Sequence, residues 1–355
     1  MTDDPIWRQP AAEAPDTAPD TAPPRRRPRW RRALIILAIS VAVLMVAAVG
    51  VVGYLARTAT ESLSNIPREP DALPANVDRP PVATPTVSGA LPAMNIVLIG
   101  ADKRSPNENG RSDTLIVAHI SSDRSRVYLV SFPRDMWVDI PGRGRAKINA
   151  AYSWGGTALA VQTLEGLTGA HMDHVVTTNL NDFVGLVNVV GGVTVDNPVA
   201  STAKDENTGA TYTFPKGPVY LDGAMALLFS RQRHELPNGD LDRALRQRAL
   251  IKALALKVAT PQVLANPVVL GNVIRSVAKY VKVDSGMTDS VIIDLATSMR
   301  ITGGDQIISL QAPITGFGTS ADGQAIDIVD TAGVAALGHA LQTDTMADYV
   351  AAHPK

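Results

Sequence analysis

Residues 94–100 read MNIVLIG, a short apolar run that ends in a glycine. A continuous apolar run of this length, closed by a turn residue, is typical of a strand buried on both faces. Two more such runs occupy residues 114–120 and 127–132, and the polar turn 121–126 joins them. These segments predict three strands of a buried sheet.

After these runs, the apolar pattern alternates between strand-like and helix-like periods. The predicted strands are residues 174–178, 193–195 and 306–311, and the predicted helices are residues 157–167, 182–190, 222–229, 242–258, 288–299 and 331–341. Strands interleaved with helices indicate a sheet covered on both faces. The predicted fold class is therefore α/β, as a layered domain.

The composition excludes several classes of protein. The chain has 355 residues, of which 45% are hydrophobic and 19% charged, so a sizeable core is available and general disorder is excluded. Lys plus Arg total 33 against 34 for Asp plus Glu, and this balance argues against wholesale nucleic-acid binding. The chain contains no cysteine, which excludes disulfides, thiolate zinc sites and a cysteine nucleophile.

Residues 33–55 carry no charge, and six arginines lie just before them at positions 25–32. As a helix these residues span roughly 34 Å, enough to cross a bilayer. A cleaved signal peptide would have a shorter apolar stretch, and the basic flank disfavours a buried core helix. The arginines also fit a nucleic-acid patch, but next to an apolar helix the positive-inside rule explains them better. We therefore expect a single-pass cell-membrane anchor with a cytoplasmic N-terminus and an extracytoplasmic domain.

Two proline-rich segments flank this helix. Residues 1–32 hold seven prolines and an Ala-Pro-Asp-Thr repeat, which predicts a disordered cytoplasmic tail. Residues 56–92 hold another seven prolines and are predicted to form a semi-rigid extracytoplasmic linker. The folded domain is then expected to begin near Met94 and to span residues 93–345.

Several common catalytic motifs do not occur. The sequence has no G-x-x-x-x-G-K-[ST] and no G-x-G-x-x-G after a strand, so nucleotide-binding loops are unsupported. It also lacks G-x-S-x-G and H-E-x-x-H. Among six histidines, His171 and His174 alone have a ligand-like spacing, and a solvated pair is the favoured interpretation.

Aspartates and arginines concentrate at the predicted strand ends. Asp102 follows the first strand, Arg111 and Asp113 open the second, and Arg134 follows the third. Ligands of layered α/β sheets gather at strand ends, and two nearby carboxylates suit Mg²⁺, which takes one or two carboxylates plus substrate phosphates. The alternative is that Asp102 and Asp113 are turn residues or caps.

A second concentration lies between residues 231 and 248, where five arginines occur. Arg231 and Arg233 would point the same way in an extended segment, and Arg243 and Gln247 share a helix face. This spacing suggests a cationic pocket for a polyanion, since arginine makes forked contacts to phosphate. The alternative is a solvent-exposed helix whose arginines form salt bridges.

Several motifs in this order resemble the LytR-CpsA-Psr family of cell-wall glycopolymer transferases, over roughly residues 95–341. The carrying motifs are NIVLIGAD (95–102), GRSDT (110–114), SFPRD (131–135), KINAAY (147–152), F-x-x-x-V-x-x-x-GGV (183–193), YLDGAMALLFSRQRH (220–234) and D-x-x-R-x-x-RQ (240–247). The chain departs from the family pattern at Asn188 and at Leu241-Asp242. Neither departure touches the expected chemistry.

The resemblance implies a three-layer α-β-α domain with a central mixed sheet. It also implies transfer of a glycan from a polyprenyl-pyrophosphate carrier to peptidoglycan, through a phosphodiester link and with Mg²⁺, or Mn²⁺, on the pyrophosphate. The residues carried over from the motifs are Asp102 and Asp113 at the metal, Arg134, Arg231, Arg233 and Asp240 as catalytic residues, and Lys147, Arg243, Gln247 and Arg111 for substrate binding. Among these, Asp240 resembles the carboxylate proposed as base for the acceptor hydroxyl.

The sequence is compatible with three functions. The first is the transferase, for which the glycan could be of the arabinogalactan, teichoic acid or capsule type. High usage of Ala, Val, Arg and Asp suits an actinobacterium, where arabinogalactan is the candidate. The second is a lipid-pyrophosphate phosphohydrolase that uses water at the same site. The third is a non-catalytic regulator that binds polyprenyl phosphates at the membrane.

Overall fold

The computed structural model describes residues 66–75, 79–83, 91–102, 110–205, 208–232, 236–258, 260, 273 and 276–354, all within the unit Tyr54–Lys355. The tail and the membrane helix predicted for residues 1–32 and 33–55 lie outside these ranges. Among the described residues, no helix combines the length and the apolar character that a membrane crossing requires.

Fifteen strands occur among the described residues. In chain order they are β1 (Arg68–Glu69), β2 (Met94–Asp102), β3 (Arg111–Ile120), β4 (Val127–Ser131), β5 (Trp137–Ile140), β6 (Gly144–Lys147), β7 (His174–Asn179), β8 (Val193–Asn197), β9 (Ser201–Lys204), β10 (Thr211–Phe214), β11 (Gly217–Leu221), β12 (Lys282–Asp284), β13 (Ile307–Gln311), β14 (Ile314–Thr319) and β15 (Ala325–Val329). Seven of them form one mixed sheet in the order β1-β12-β7-β2-β3-β4-β13. β2 runs parallel to β7 and antiparallel to β3, and β4 runs parallel to β13. The mixed sheet expected from the sequence is confirmed.

The described helices agree with the six predicted ones and add a seventh. They are α1 (Asn149–Thr168), α2 (Leu180–Val189), α3 (Gly223–Arg231), α4 (Asp240–Val258), α5 (Asp289–Ser298), α6 (Thr331–Thr343) and α7 (Met346–Ala352). α1 is kinked at Gly155-Gly156, where Gly156 has a φ of 65°. Beyond the kink, α1 coincides with the predicted helix 157–167. Since Met346 of α7 is buried, the domain continues past the predicted end at residue 345.

The central strands bury side chains on both faces, as their continuous apolar sequence requires. Val97 and Ile99 of β2 pack into a cluster with α1 and α6, while Ile96 packs into a second cluster with side chains of α4 and α5. Successive residues of a strand point to opposite faces, so one apolar run fills two cores. Helices therefore cover both faces of the sheet in three layers.

A third apolar cluster lies beside this sandwich. It brings α2, α3 and α4 against two antiparallel strand pairs, β8 with β11 and β9 with β10. Phe214 and Phe229 lie at its centre and meet edge to face with ring centroids 5.3 Å apart. This packing orients α3 and α4, whose facing ends carry the second arginine concentration.

Part of the predicted linker belongs to the folded domain, which corrects the expected boundary near Met94. β1 pairs with β12 at the edge of the central sheet, and Ile66 and Ala72 are buried. Further along, Arg79 forms a buried ion pair with Glu165 of α1, with Nη2 2.7 Å from Oε1. The sequence did not predict this pairing, because a two-residue strand between prolines has no periodicity to detect.

Arg79→Ala is expected to destabilise the full chain by about 3–5 kcal/mol, because it leaves the carboxylate of Glu165 buried without its cation. Equilibrium urea unfolding measures this loss. The control is Arg145→Ala. Arg145 and its partner Asp139 are 60% and 86% exposed, so the loss of this ion pair should destabilise the chain by under about 0.5 kcal/mol. Equal stability of the two variants would show that residues 79–83 do not hold onto the domain in solution.

Candidate active site

A β-bulge separates Asp113 from the regular pairing of β2 with β3. Gly100 pairs with Thr114 and Ala101 pairs with Ser112, so Asp113 is the additional residue on β3. A bulge redirects a side chain out of the alternation of its strand. Gly100 permits the close pairing, because a Cβ at this position would come within 2.9 Å of the Thr114 Cβ.

Asp102 and Arg111 pair across the end of the same two strands, just beyond the bulge. The two aspartates predicted at the metal therefore lie at one end of neighbouring strands, as expected. The side chains of Asp102 and Arg111 lie outside the described residues, so the placement of their carboxylate and guanidinium stays a prediction.

Arg134 lies in the turn after β4, where its guanidinium meets three carboxylates. Its Nη1 donates to Asp113 Oδ1 at 2.8 Å, and its Nε lies 3.3 Å from Asp240 Oδ1 and 3.5 Å from Asp135 Oδ2. Burial opposes the charge, but Asp240, Asp113 and Asp135 outweigh burial and raise the pKa of Arg134. Arg134 thus stays cationic and ties the bulge to the beginning of α4.

The predicted residues at the start of α4 also reach this point. Arg243 Nη2 lies 2.6 Å from Asp240 Oδ1, so Asp240 lies between two guanidinium groups. Gln247 follows one turn later, and its amide donates to Ser230 O at 3.4 Å. The structure therefore brings together Asp113, Arg134, Asp240 and Arg243 from three separate segments, with Gln247 behind them.

A cleft of about 300 Å³ opens beside Arg134. Its lining includes Lys147, whose Nζ lies 2.9 Å from Asp135 Oδ1, and Trp154, which is 44% exposed. Gln324, in the turn between β14 and β15, also lines the cleft. The cleft therefore combines cationic groups with an accessible aromatic ring, a lining suited to a phosphorylated sugar.

The expectation of one extended segment from Arg231 to Arg233 is wrong at Arg231. Arg231 is the last residue of α3, and the chain becomes extended at Gln232, with φ −60° and ψ 131°. The helix end therefore sets the direction of Arg231. Arg233 lies outside the described residues.

Gln232, between the two arginines, is held by three side-chain hydrogen bonds. Its Oε1 accepts from Ser201 Oγ at 2.8 Å and from Arg246 Nη1 at 2.7 Å, and its amide donates to Thr202 O at 2.8 Å. These bonds join the end of α3 to β9 and α4. Substitution of Gln232 is therefore expected to weaken this junction.

The model of the LytR_cpsA_psr family matches residues 73–343. The chain belongs to the LytR-CpsA-Psr family. Among curated relatives, a polyisoprenyl-teichoic acid–peptidoglycan teichoic acid transferase TagU of Enterococcus faecalis is 35% identical over 206 residues, which cover 57% of this chain and 62% of the relative. A TagU of Bacillus mycoides is 34% identical over 220 residues, or 62% of this chain and 68% of the relative. The matched part is thus less than two thirds of the Enterococcus relative's length.

Solved structures share the fold of this LytR-CpsA-Psr protein. TagV of B. subtilis superposes with a TM-score of 0.60 at 26% identity, covering 70% of this chain and 96% of TagV. A TagT structure bound to LI-WTA gives a TM-score of 0.56 at 23% identity, covering 76% of this chain and 97% of TagT. At this level of identity, the TagT likeness concerns the fold alone.

Two buried charged residues of this LytR-CpsA-Psr site were missed by the sequence analysis. Arg246 is buried with its guanidinium 4.3 Å from the Phe229 ring centroid, and its burial lowers its pKa to about 10. Arg246 is one of the five arginines between residues 231 and 248, and this concentration could have marked it. Asp327 of β15 is buried beside Asp135, and no local motif marks it.

The two closely spaced histidines serve the fold. His171 Nδ1 lies 2.9 Å from Pro80 O, and His174 Nδ1 lies 3.1 Å from the Asp284 carboxylate. Both side chains are largely buried, which corrects the expectation of a solvated pair. Among the residues that the structure describes, no group of three or more acidic, histidine or cysteine side chains is arranged to hold a metal ion.

Proposed function

We propose that this chain transfers a glycopolymer from a polyprenyl-pyrophosphate carrier to peptidoglycan and forms a phosphodiester link. The carrying observation is Arg134, which reaches Asp113, Asp135 and Asp240 at the rim of a cleft that Lys147 also lines. The family relatives named as polyisoprenyl-teichoic acid–peptidoglycan transferases support this reaction class.

The charges around the cleft suit a pyrophosphate diester. Arg134, Lys147 and Arg243 each pair with a carboxylate, and an incoming pyrophosphate can share or replace those contacts. Arginine forks match phosphate oxygens, and cations fixed in a partly buried site stabilise negative charge better than water does. We infer that Arg231 and Arg233 extend the same clamp from the end of α3, with Gln247 and Arg111 as further contacts.

The reaction we propose is displacement at the phosphorus that carries the glycan. A hydroxyl of peptidoglycan forms the new P–O bond, and the bond to the bridging oxygen breaks so that polyprenyl phosphate leaves with the electron pair. Arg134 and Arg243 balance the charge that develops on the leaving phosphate. Lys147 lies on the other side of Asp135, where it can hold the phosphate that stays with the glycan.

A magnesium ion shared with the substrate belongs to this proposal. Asp113 is partly exposed at the bulge, and an ion that takes its other ligands from pyrophosphate oxygens needs only one or two carboxylates from the protein. Asp113 and Asp102 would hold the ion, Mg²⁺ or Mn²⁺. Such an ion withdraws charge from the pyrophosphate and so improves the leaving group.

The membrane arrangement inferred from the sequence belongs to this proposal, with the N-terminus cytoplasmic and the domain outside the cell membrane. The cysteine-free chain allows a direct test with Thr2→Cys and Ala321→Cys, since Ala321 is exposed. On intact cells, a membrane-impermeant maleimide should label Ala321→Cys and spare Thr2→Cys. The reverse labelling would refute the topology.

The glycan itself is part of the proposal. The names of the relatives favour a polymer of the teichoic acid type, whereas the composition alone favours arabinogalactan. Depletion of the protein, followed by sugar analysis of purified peptidoglycan, identifies the polymer that is lost.

The reaction is tested with the purified full chain, peptidoglycan sacculi, Mg²⁺ and a short-prenyl-pyrophosphate-linked sugar labelled in the sugar. The expected result is label on the sacculi through a phosphodiester, with one prenyl phosphate released for each sugar transferred. Release of the labelled sugar phosphate without attachment would indicate the phosphohydrolase instead. Binding of the substrate without any turnover would indicate the non-catalytic regulator.

A further inference from the structure

Asp327 lies against Asp135 and Met136, next to the cleft, although it is far from every motif in the sequence. Its backbone N–H donates to Asp135 O at 2.9 Å, and it forms an isolated bridge with Met136. These contacts hold β15 beside the turn that carries Arg134 and Asp135. Asp327 thereby directly neighbours the cleft, which Asp135 and, three residues before Asp327, Gln324 line.

The carboxylate of Asp327 differs from the other carboxylates of the site. Asp113, Asp135 and Asp240 each form an ion pair with an arginine or a lysine. Asp327 is 7% exposed, yet within the part of the chain that the structure describes its carboxylate makes no hydrogen bond and no ion pair. The Asp327 oxygens are not among the fully buried atoms of the described residues, so a ligand in the neighbouring cleft can donate a hydrogen bond to them.

The electrostatic surroundings keep Asp327 ready to take up a proton near neutral pH. Burial is the largest cause, and the negative charges of Asp135 and Asp240 add to it, so that the pKa of Asp327 rises from 3.8 to about 6. Lys147 and Arg134 act in the opposite direction. A carboxylate of this kind is ionised at pH 7 and still basic enough to accept a proton in a transition state.

We propose that Asp327 is the general base that accepts the proton of the attacking acceptor hydroxyl. As the hydroxyl oxygen bonds to the phosphorus of the glycan phosphate, its proton passes to the Asp327 carboxylate. The bond to polyprenyl phosphate breaks with its electron pair on the leaving oxygen, and Asp327 later returns the proton to water. The assignment rests on the proposed transferase function and deepens it by naming the base.

Asp240 is the competing candidate, because it resembles the family's proposed base. Its Oδ1 lies 2.6 Å from Arg243 Nη2 and 3.3 Å from Arg134 Nε, so this oxygen already faces two guanidinium groups. A carboxylate held in this way orients the arginines. Asp327 has no such neighbour bonded to it and leaves its oxygens to the substrate.

The test is the pH profile of kcat/KM for the full chain with the short-prenyl-pyrophosphate-linked sugar and a soluble peptidoglycan fragment. The wild type is expected to lose activity below an apparent pKa of about 6. Asp327→Asn should lower kcat by about 10²–10⁴-fold, with little change in KM, and should abolish this acid limb. Formate should restore part of the activity of Asp327→Ala, since a small carboxylate can occupy the vacated space. The control Asp139→Asn changes an exposed carboxylate of β5 and should leave the profile unchanged.

A second variant keeps the test decisive if Asp327→Asn folds poorly. Asp135→Asn removes a negative neighbour and releases Lys147 and Arg134 to act on Asp327, so the acid limb should move to lower pH. The proposal is overturned by wild-type kcat and an unchanged limb in Asp327→Asn, or by an unmoved limb in Asp135→Asn. A wild type that turns over none of the lipid-linked sugar would instead refute the transferase function.

Discussion

Replacement of Asp113 by alanine is expected to abolish Mg²⁺-dependent turnover while the domain stays folded. Asp113 is the additional residue of the bulge on β3 and lies partly exposed, outside the three apolar clusters. Its loss removes a carboxylate from an ion that takes only one or two from the protein. We expect kcat/KM at millimolar Mg²⁺ to fall at least a hundredfold, about 2.7 kcal/mol in the barrier.

Mn²⁺ binding in the presence of prenyl pyrophosphate, followed by electron paramagnetic resonance, provides a readout other than activity. Asp113→Ala should weaken it, and so should Asp102→Ala, because the two residues lie at the same end of β2 and β3. Asp139→Ala is the control, since Asp139 is exposed on β5. Unchanged Mn²⁺ affinity with normal turnover in Asp113→Ala would leave this aspartate with its structural contact to Arg134 alone.

The sequence predicted the centre of the fold because burial on both faces leaves a continuous apolar run. β2, β3 and β4 have this property, and each was predicted within a few residues of its observed bounds. The edges of the fold were missed. β14 contains two glycines and alternates weakly, and β1 has two residues, so neither offers a period to recognise.

The candidate site was predictable where its residues follow strands or begin helices. Asp113, Arg134 and Asp240 come together as their positions suggested, because strand ends and a helix start meet at one edge of the domain. Asp327 could not be predicted, since its place depends on a bridge to Met136 across most of the domain's sequence. Arg231 was misjudged because the apolar pattern of α3 continues to its last turn.

Arg134→Ala is expected to lower kcat by about 10²–10³-fold, the cost of removing one fixed group that stabilises transition-state charge. Arg134 contacts Asp113, Asp135 and Asp240, so its loss leaves three carboxylates facing one another without the central cation. The same repulsion would act on a bound pyrophosphate and weaken its binding. Arg134→Lys should recover little, because an ammonium cannot bridge separate carboxylates as the guanidinium does.

The pH profile of Arg134→Ala separates a catalytic role from a merely structural one. Since Arg134 holds down the pKa of Asp327, its removal raises that pKa, and the acid limb should move from about 6 to higher pH. Asp135→Asn is expected to move the acid limb to lower pH, so the apparent pKa of the wild type should lie between those of the two variants. Arg145→Ala, an exposed arginine on β6, should change neither kcat nor the limb. If Arg134→Lys matched the wild type in both, the forked contact would have no part in turnover, and a point charge after β4 would be enough.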